Sequence, residues 1–287
     1  MDDLRIETLT APPATIGESP VWMPESGDIL WVDMPVGRIH FTSLRTGGTR
    51  TVQTPTYLGA VAAAASGDCF VACREGFAWI LATGRFTFVW SGLSNNERMN
   101  DAKCDPVGRL WAGSLDFDFR PGEGKLWSIV DGEQPRLRLD GLTQPNGLAW
   151  SPDAATFYLI DSAERELTAF DFDPISGSIA HRRVIHRFPE GEGYADGMTV
   201  DEDGCLWIAM WGAGAIVRLA PDGALLDRIS VPRALPTSCA FVGDQRDRLV
   251  VTSAADAPEL REGTSSEGGL LLISGLGTRG LTSPLFG

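Results

Sequence analysis

Four residues whose side chains end in oxygen donors recur at nearly the same position along the chain. Glu18, Asn100, Asn146 and Asp196 each lie 11 to 13 residues before the aromatic residue of a short phrase that the sequence repeats. Carboxylate and carboxamide oxygens are ligands that calcium and other hard divalent cations prefer. If the fold gathers these positions, the sequence predicts a divalent metal site of two carboxylates and two carboxamides, with water completing the shell.

The repeated phrase indicates which fold would gather them. It consists of a turn with Gly, Asp or Pro, then an apolar pair that usually includes an aromatic residue, then small residues. Six copies occur, at residues 26–33, 67–72, 105–113, 152–159, 201–208 and 244–251. Such a period, about 40 to 50 residues, is typical of a four-stranded propeller blade. We therefore predict an all-β fold, a single six-bladed β-propeller domain over residues 1–287, with the metal site in its central channel.

Two further expectations concern the arrangement of the blades. An inner strand precedes each phrase and starts at one mouth of the channel, so equal positions in different blades surround the same axis. Blades 2 and 6 have Gly59 and Cys239 at the position in question, where neither supplies a hard ligand. The strand at residues 4–9 is expected to pair with residues 269–273 and close the ring, which leaves few free sheet edges.

A simpler interpretation of these residues has to be weighed. Asn146-Gly147 and Asp196-Gly197 are dipeptides that usually mark turns, and Glu18 would suit a solvated loop. The shared position of four oxygen donors favours a metal site over four unrelated turns. By contrast, the acidic segment 201–204 lacks the spaced acids of an EF-hand and is predicted to be a hairpin turn. Packing or surface roles are expected for the three histidines, His40, His181 and His186.

Composition excludes several classes of partner. The chain has 24 Lys and Arg against 38 Asp and Glu, a formal net charge of −14. An acidic chain does not suit nucleic-acid backbones or anionic membrane surfaces, so no partner of either kind is expected. The most apolar run, Leu58 to Ala65, is too short to span a membrane. With five sparse cysteines and no visible signal peptide, we expect a cytoplasmic protein with reduced thiols, and a monomer is plausible.

Four segments of the chain resemble one known family. These are GESPVW at 17–22, RMNDAK at 98–103, PNGLAW at 145–150 and DGMTVD at 196–201. Together they resemble the SMP-30/gluconolactonase/regucalcin-like family of six-bladed propellers. Residues 237–239 and 275–277 are similar to it as well, so the resemblance covers nearly the whole chain. It implies a sugar lactone hydrolase that needs one divalent metal ion, calcium first, with zinc, magnesium and manganese as alternatives.

The resemblance also implies roles for individual residues. The family's metal ligands correspond to Glu18, Asn146 and Asp196, and its substrate contacts to Arg98 and Asn100. From the residue alone, a surface ion pair with a neighbouring acid is an equally good interpretation of the arginine. Members of the family often have a further substrate-binding glutamate. This chain has Asp118 at that position, and its shorter side chain leaves the identity of the sugar open.

These roles lead to one expected reaction and two alternatives. The expected reaction is the hydrolysis of a small-molecule sugar lactone, an aldono-1,4- or 1,5-lactone, to the aldonic acid. The metal would act as a Lewis acid on the carbonyl, and Asp196 is the candidate general base. The alternatives are a related metal-dependent esterase or phosphotriesterase-like hydrolase and a non-enzymatic calcium-binding propeller. A polar mouth formed by Arg98, Asn100 and Asp118 favours a hydroxylated substrate.

Overall fold

The computed structural model describes residues 4–255 and 267–287, and every regular element in these ranges is a β-strand. The strands form six four-stranded antiparallel sheets. Short strands separated by Gly- and Asp-containing turns, as the sequence has them, favour such sheets over helices. No helix long and apolar enough to cross a membrane occurs within the described ranges.

Each sheet is one blade, and its strands follow one another along the chain. Blade 1 is formed by β2 (Gly17–Met23), β3 (Asp28–Asp33), β4 (Arg38–Ser43) and β5 (Thr49–Gln53). Blade 2 is formed by β6 (Leu58–Ala63), β7 (Cys69–Cys73), β8 (Gly76–Ile80) and β9 (Phe86–Trp90). Blade 3 is formed by β10 (Glu97–Cys104), β11 (Leu110–Asp116), β12 (Gly124–Ile129) and β13 (Arg136–Leu142).

The second half of the chain repeats the arrangement. Blade 4 is formed by β14 (Pro145–Trp150), β15 (Thr156–Asp161), β16 (Glu166–Asp173) and β17 (Ser178–Arg187). Blade 5 is formed by β18 (Tyr194–Val200), β19 (Leu206–Trp211), β20 (Ala215–Leu219) and β21 (Leu225–Ser230). Blade 6 is formed by β22 (Pro236–Val242), β23 (Arg248–Ser253), β24 (Gly269–Ser274) and β1 (Arg5–Thr8).

The blades form a closed ring around a central channel. The first strand of each blade contacts the first strand of the next, and β22 contacts β2. Blade 6 joins both ends of the chain, because β1 pairs with β24 from Arg5 opposite Ser274 to Thr8 opposite Leu271. The six-bladed propeller and this closure were both predicted from the sequence, and both are confirmed. We call the end where the inner strands begin the near mouth, and the end where they finish the far mouth.

Deleting residues 1–10 should therefore lower the thermal stability of the protein. The deletion removes β1, its ladder with β24, and the packing of Leu4 and Ile6 against the core of blades 5 and 6. For a loss of about 3 kcal/mol we expect the melting temperature to fall by about 5–10 °C. Calorimetry would measure it, with deletion of residues 1–3 as the control, since these precede the strand. An unchanged melting temperature in the longer deletion would contradict the role of β1.

The aromatic residues of the repeated phrase form the cores between blades. Trp31, Trp111 and Trp207 are among the largest fully buried side chains. In blades 3 and 5 the indole Nε1 donates to a buried aspartate in the turn before the strand. Trp111 donates to Asp105 Oδ2 at 3.0 Å, and Trp207 donates to Asp201 Oδ2 at 2.9 Å. The segment 201–204 is thus a hairpin turn, as predicted. Its first carboxylate, that of Asp201, stabilises the blade through this hydrogen bond.

The last residues of the chain cover the far mouth. Gly280 pairs with Asp201 and accepts a hydrogen bond from Arg246 Nε at 3.0 Å, so this segment starts from blades 5 and 6. Residues 281–284 then line the cavity at the far end of the channel. Phe286 is 1% exposed and stacks on Phe70 of blade 2, with ring centroids 4.0 Å apart. The C-terminal segment therefore crosses the far mouth from one side of the ring to the other.

Candidate functional site

Each of the six inner strands pairs irregularly with the second strand of its blade, close to the end that we call the near mouth. The pairing with the second strand of the blade shifts between residues 18 and 21, 58 and 60, 99 and 102, 145 and 148, 195 and 198, and 236 and 238. Such β-bulges bend a strand and redirect its side chains. Asn100, Asn146 and Asp196 are each the first residue within the bulge of their blade. The bulges therefore explain how one sequence position in three blades comes to face the channel.

Blades 1 and 6 depart from the positions deduced by counting. In blade 1 the bulge contains Ser19 and Pro20, and Glu18 lies just before it. Ser19 has a positive φ of 52°, and its N–H donates to Glu18 Oε2 at 2.6 Å. In blade 6 the bulge contains Thr237, so the assignment of Cys239 to this position was wrong. The miscount has a physical reason, since the number of residues between bulge and phrase differs among the blades.

Glu18 and Asp196 form a pair of carboxylates that influence each other in the channel. Glu18 is 5% exposed. Burial raises the pKa of Glu18 well above its usual value, and the charges of Asp196 and Asp101 raise it further. Burial and the charge of Asp101 likewise raise the pKa of Asp196, while a hydrogen bond from Asn146 and the charge of Arg98 lower it.

These raised pKa values have a consequence for stability. An acid whose pKa is higher in the folded state than in the unfolded state opposes folding once it is ionised. The metal-free fold is therefore penalised by Glu18 and Asp196 at pH above their folded-state pKa values, and the penalty is relieved as the pH falls through them. A bound divalent cation would relieve the same penalty at neutral pH, so a channel that gathers two carboxylates beside the buried amide of Asn146 fits a metal ion.

Asn146 is held in one orientation by its neighbours. Its Nδ2 donates to Ser162 Oγ at 3.1 Å, and Ser162 Oγ donates to the carbonyl of Ala195 at 2.5 Å. The amide also hydrogen-bonds the carboxylate of Asp196. With its N–H groups engaged, the atom that Asn146 can offer a cation is Oδ1. Ser162 was missed by sequence reasoning, because it follows the second strand of blade 4 and no regular spacing connects it to the site.

Arg98 and Asn100 form a second, adjoining part of the site. Arg98 Nη1 donates to Asn100 Oδ1 at 2.8 Å, and Asn100 Nδ2 donates to the carbonyl of Pro145 at 3.0 Å. The guanidinium lies 5.1 Å from the ring centroid of Tyr57 and 5.8 Å from that of Phe117. Burial lowers the pKa of Arg98, and the nearby Tyr57, Asp196 and Glu18 raise it. The guanidinium thus lies close enough to the carboxylate pair for the charges of both acids to act on it.

The alternative of a surface ion pair between Arg98 and its neighbour does not hold. Glu97 instead forms an ion pair with Lys125 of β12. This interaction and a hydrogen bond from the Ser94 N–H outweigh the effect of burial and lower the pKa of Glu97. The neighbouring acid is therefore engaged elsewhere, and the arginine is available to the channel.

Asp118 is not brought into the cluster. It lies at the near mouth, in the exposed loop that follows β11, and its backbone N–H donates to Asp116 Oδ1 at 2.9 Å. Among the described side-chain contacts, none joins its carboxylate to Glu18, Asn146 or Asp196. Its assignment to substrate binding thus has no support from a contact within the site.

No group of three or more His, Cys, Asp or Glu side chains in the described ranges is arranged to hold a metal ion. A metal at the carboxylate pair would therefore depend on the amide of Asn146 and on water. The histidines lie elsewhere, as expected. His40 is buried in β4 beside Thr51, while His181 and His186 are on the outer strand β17.

Two charged residues behind the carboxylate pair were also missed. Asp101 is 5% exposed, and its Oδ1 accepts the Ala102 N–H at 2.8 Å, while Oδ2 has no hydrogen-bond partner among the described residues. Lys103 follows two residues later on the same strand. Both line a cavity of about 310 Å³ that occupies the far half of the channel. Two more charged residues on β10, directly after Arg98 and Asn100, were the available signal.

Comparison with known proteins identifies relatives of this chain. A family model described as the SMP-30/Gluconolactonase/LRE-like region matches residues 16–255. Human regucalcin is 33% identical over 298 residues, with 98% of each chain covered. A Bacillus subtilis (strain 168) protein named "Putative sugar lactone lactonase YvrE" is 31% identical over 248 residues, with 85% of each chain covered.

Two solved structures are similar over almost the full length. A luciferin-regenerating enzyme superposes with a TM-score of 0.94 at 27% identity, covering 99% of both chains. A regucalcin from Agrobacterium tumefaciens, described as a calcium-binding protein, superposes with a TM-score of 0.89 at 26% identity, covering 98% of this chain and 97% of the other. With a family model matched over most of its length and curated relatives above 30% identity, the chain belongs to the SMP-30/Gluconolactonase/LRE-like family.

Proposed function

We propose that this protein is a metal-dependent hydrolase that opens a sugar lactone, an aldono-1,4- or 1,5-lactone, to the aldonic acid. The observation that carries the proposal is the carboxylate pair of Glu18 and Asp196, with Asn146 beside it and the guanidinium of Arg98 close enough for both charges to act on it. A lactone is a reactive ester, so its hydrolysis needs a polarised carbonyl, a directed water and a proton acceptor.

The donor set fits one divalent cation. Glu18, Asn146 and Asp196 would hold it, because two carboxylates offset its charge and an amide oxygen adds a third hard ligand. When bound, the metal supplies Lewis-acid polarisation of the carbonyl oxygen. Calcium suits such oxygen ligands best, and the calcium-binding description of the Agrobacterium relative supports it. Zinc, magnesium and manganese are the alternatives.

The chain's own residues supply the remaining functions. Asp196 would accept the proton of the attacking water, because coordination to the cation would hold its carboxylate in a fixed position beside that water. Arg98 and Asn100 would bind the hydroxyl groups or the ring oxygen of the sugar, the first as a donor and the second as donor and acceptor. Tyr57 and Phe117, on either side of the guanidinium, limit the positions it can take.

The names of the relatives support the substrate class. The family description includes gluconolactonase, and the Bacillus subtilis relative is named for a sugar lactone. Within the proposal, the chain from residue 1 to 287 acts as one domain, a cytoplasmic monomer, on a small molecule. Asp118, in the loop after β11, would contact the substrate at the near mouth.

The proposal is tested by acid release from a panel of aldonolactones. We expect hydrolysis of at least one aldonolactone, a fall of more than about 100-fold when a chelator removes the metal, and recovery when calcium or another divalent ion is added back. Proton release followed with a pH indicator measures all three. Turnover that persists at full rate in the chelator, with metal analysis confirming removal, would contradict the metal-dependent reaction.

One observation favours a second candidate, an ester hydrolase with an apolar substrate. Phe117 and Phe119, in the loop after β11, are 39% and 45% exposed, and aromatic rings at the near mouth would suit an aryl ester. Aryl esters tested beside the lactones separate the two candidates. A kcat/KM for aryl esters above that for every aldonolactone would favour the ester hydrolase.

A further inference from the structure

Lys103 reaches across the channel from blade 3 to blade 5. Its Nζ donates to the main-chain carbonyl of Met198, which lies two residues after Asp196 on the inner strand of blade 5. Around the same cavity lie residues of blades 1, 5 and 6, among them Ser19, Thr199 and Ser238. The ammonium group therefore lies near the channel axis, on the far side of the carboxylate pair.

The charged and titratable groups that face this ammonium come from three blades. Glu18 belongs to blade 1, Asp101 to the same strand as Lys103, and Cys239 to blade 6. The positive charge of Lys103 lowers the pKa of all three groups, against the stronger effect of burial, which raises it. The charge of Lys103 thus acts on side chains from opposite sides of the ring, which supports a position of its ammonium group near the channel axis.

The net charge at the centre of the channel depends on Lys103. The centre of the channel contains three carboxylates, Glu18, Asp101 and Asp196, and two cations, Arg98 and Lys103. With all groups ionised the cluster has one uncompensated negative charge. Without Lys103 it would have two, and the attraction for a divalent cation at the near side would rise accordingly.

A purely structural tie is the simpler explanation of Lys103. A hydrogen bond to the Met198 carbonyl could hold blades 3 and 5 together, and an uncharged donor of similar length would serve for that. Lys103 is half-buried, and Glu18 and Asp101 lie close enough for its charge to act on them. Arginine supplies nearly all other cations of this chain, since only Lys103 and Lys125 among its 24 Lys and Arg are lysines.

We propose that Lys103 is a positioning residue that places one fixed positive charge behind the carboxylate pair and so sets the affinity of that pair for a divalent cation. The lysine takes no part in binding the substrate. It lowers the affinity of the metal-free site for a dication. The inference rests on the proposed metal site and adds the residue that tunes it.

Calorimetric titration with calcium tests the proposal. We expect Lys103→Met, and Lys103→Gln, which retains a donor for the Met198 carbonyl, to bind Ca²⁺ about tenfold more tightly than the unaltered protein. Their metal-free melting temperatures should be lower, because three carboxylates then lose a compensating charge. Lys103→Arg keeps the charge and should bind Ca²⁺ within about threefold of the unaltered protein. Lys125→Met is the matched control, expected to change the calcium affinity by less than about twofold.

The direction of the affinity change separates the explanations. Unchanged or weaker calcium binding in Lys103→Met and Lys103→Gln, with lowered melting temperatures, would leave only a structural tie and overturn the proposal. Equal tightening in Lys103→Arg would show that charge is not the cause, and would overturn it as well. Failure of the unaltered protein to bind Ca²⁺ or any other divalent ion would overturn the proposed metal site, and this inference with it. If Lys103→Met does not fold, Lys103→Gln decides the question.

Discussion

Replacing Asp196 with asparagine is expected to lower kcat/KM for the preferred lactone by about 10³-fold. Asparagine preserves the size and the hydrogen-bonding capacity of the side chain but removes the charge and the proton acceptor. The same variant should have a higher melting temperature than the unaltered protein when both are metal-free at pH 7.5. The reason is that Asp196 is an acid whose pKa is raised by burial and by Asp101, so its ionised form opposes folding.

Steady-state kinetics with calcium present, and thermal melting with chelator present, measure the two effects. The matched control is Asp171→Asn, which removes an exposed carboxylate paired with Arg183 on the outer strands of blade 4. It should leave kcat/KM unchanged and the melting temperature within about 2 °C. Full turnover in Asp196→Asn would exclude this residue as the general base. Loss of both activity and metal-free stability would point to a structural role.

Replacing Asp201 with alanine is expected to destabilise the protein by about 3–5 kcal/mol. Its carboxylate is fully buried and accepts hydrogen bonds from the backbone N–H of Cys205 at 2.8 Å, the indole of Trp207 at 2.9 Å, and Arg218 Nε at 3.0 Å. Alanine would leave these donors buried without an acceptor and the arginine without its closest counter-charge. The effect arises at the far end of blade 5, remote from the proposed chemistry.

Urea unfolding measured by tryptophan fluorescence and by circular dichroism gives the change in free energy of unfolding. Asp203→Ala is the matched control, because that carboxylate is in the same turn, is exposed, and contacts Arg218 at 3.4 Å. It should cost less than about 0.5 kcal/mol. A similar loss in both variants would mean that the turn, rather than the buried carboxylate, stabilises the blade. Activity per folded molecule should be unchanged in both.

The sequence was sufficient for the propeller because the repeated phrase has a physical basis. A turn, a buried apolar pair (with an aromatic residue in five of the six copies) and small residues recur once per blade, so their period gives the number of blades. Ring closure by β1 followed from the same count. Asn146 and Asp196 could be placed near one axis for the same reason, and the structure brings them together with Glu18 and Arg98.

The details of the site could not be predicted by counting. The bulges that direct side chains into the channel differ in length among blades, which is why Cys239 was assigned where Thr237 lies. Ser162 and Lys103 act across blades, through contacts between residues 33 and 95 positions apart in the chain. Contacts of this kind have no period along a sequence. The orientation of Asp118 depends on a loop whose conformation no repeat specifies.

The C-terminal segment at 280–287 lies across the far mouth of the channel. It spans the far mouth and is anchored at blade 2 by an aromatic stack and at blade 3 by the bond from Gly287 N–H to the Gly108 carbonyl at 3.2 Å. In the proposed reaction, the near mouth would then serve both as the entrance for the lactone and as the exit for the aldonic acid.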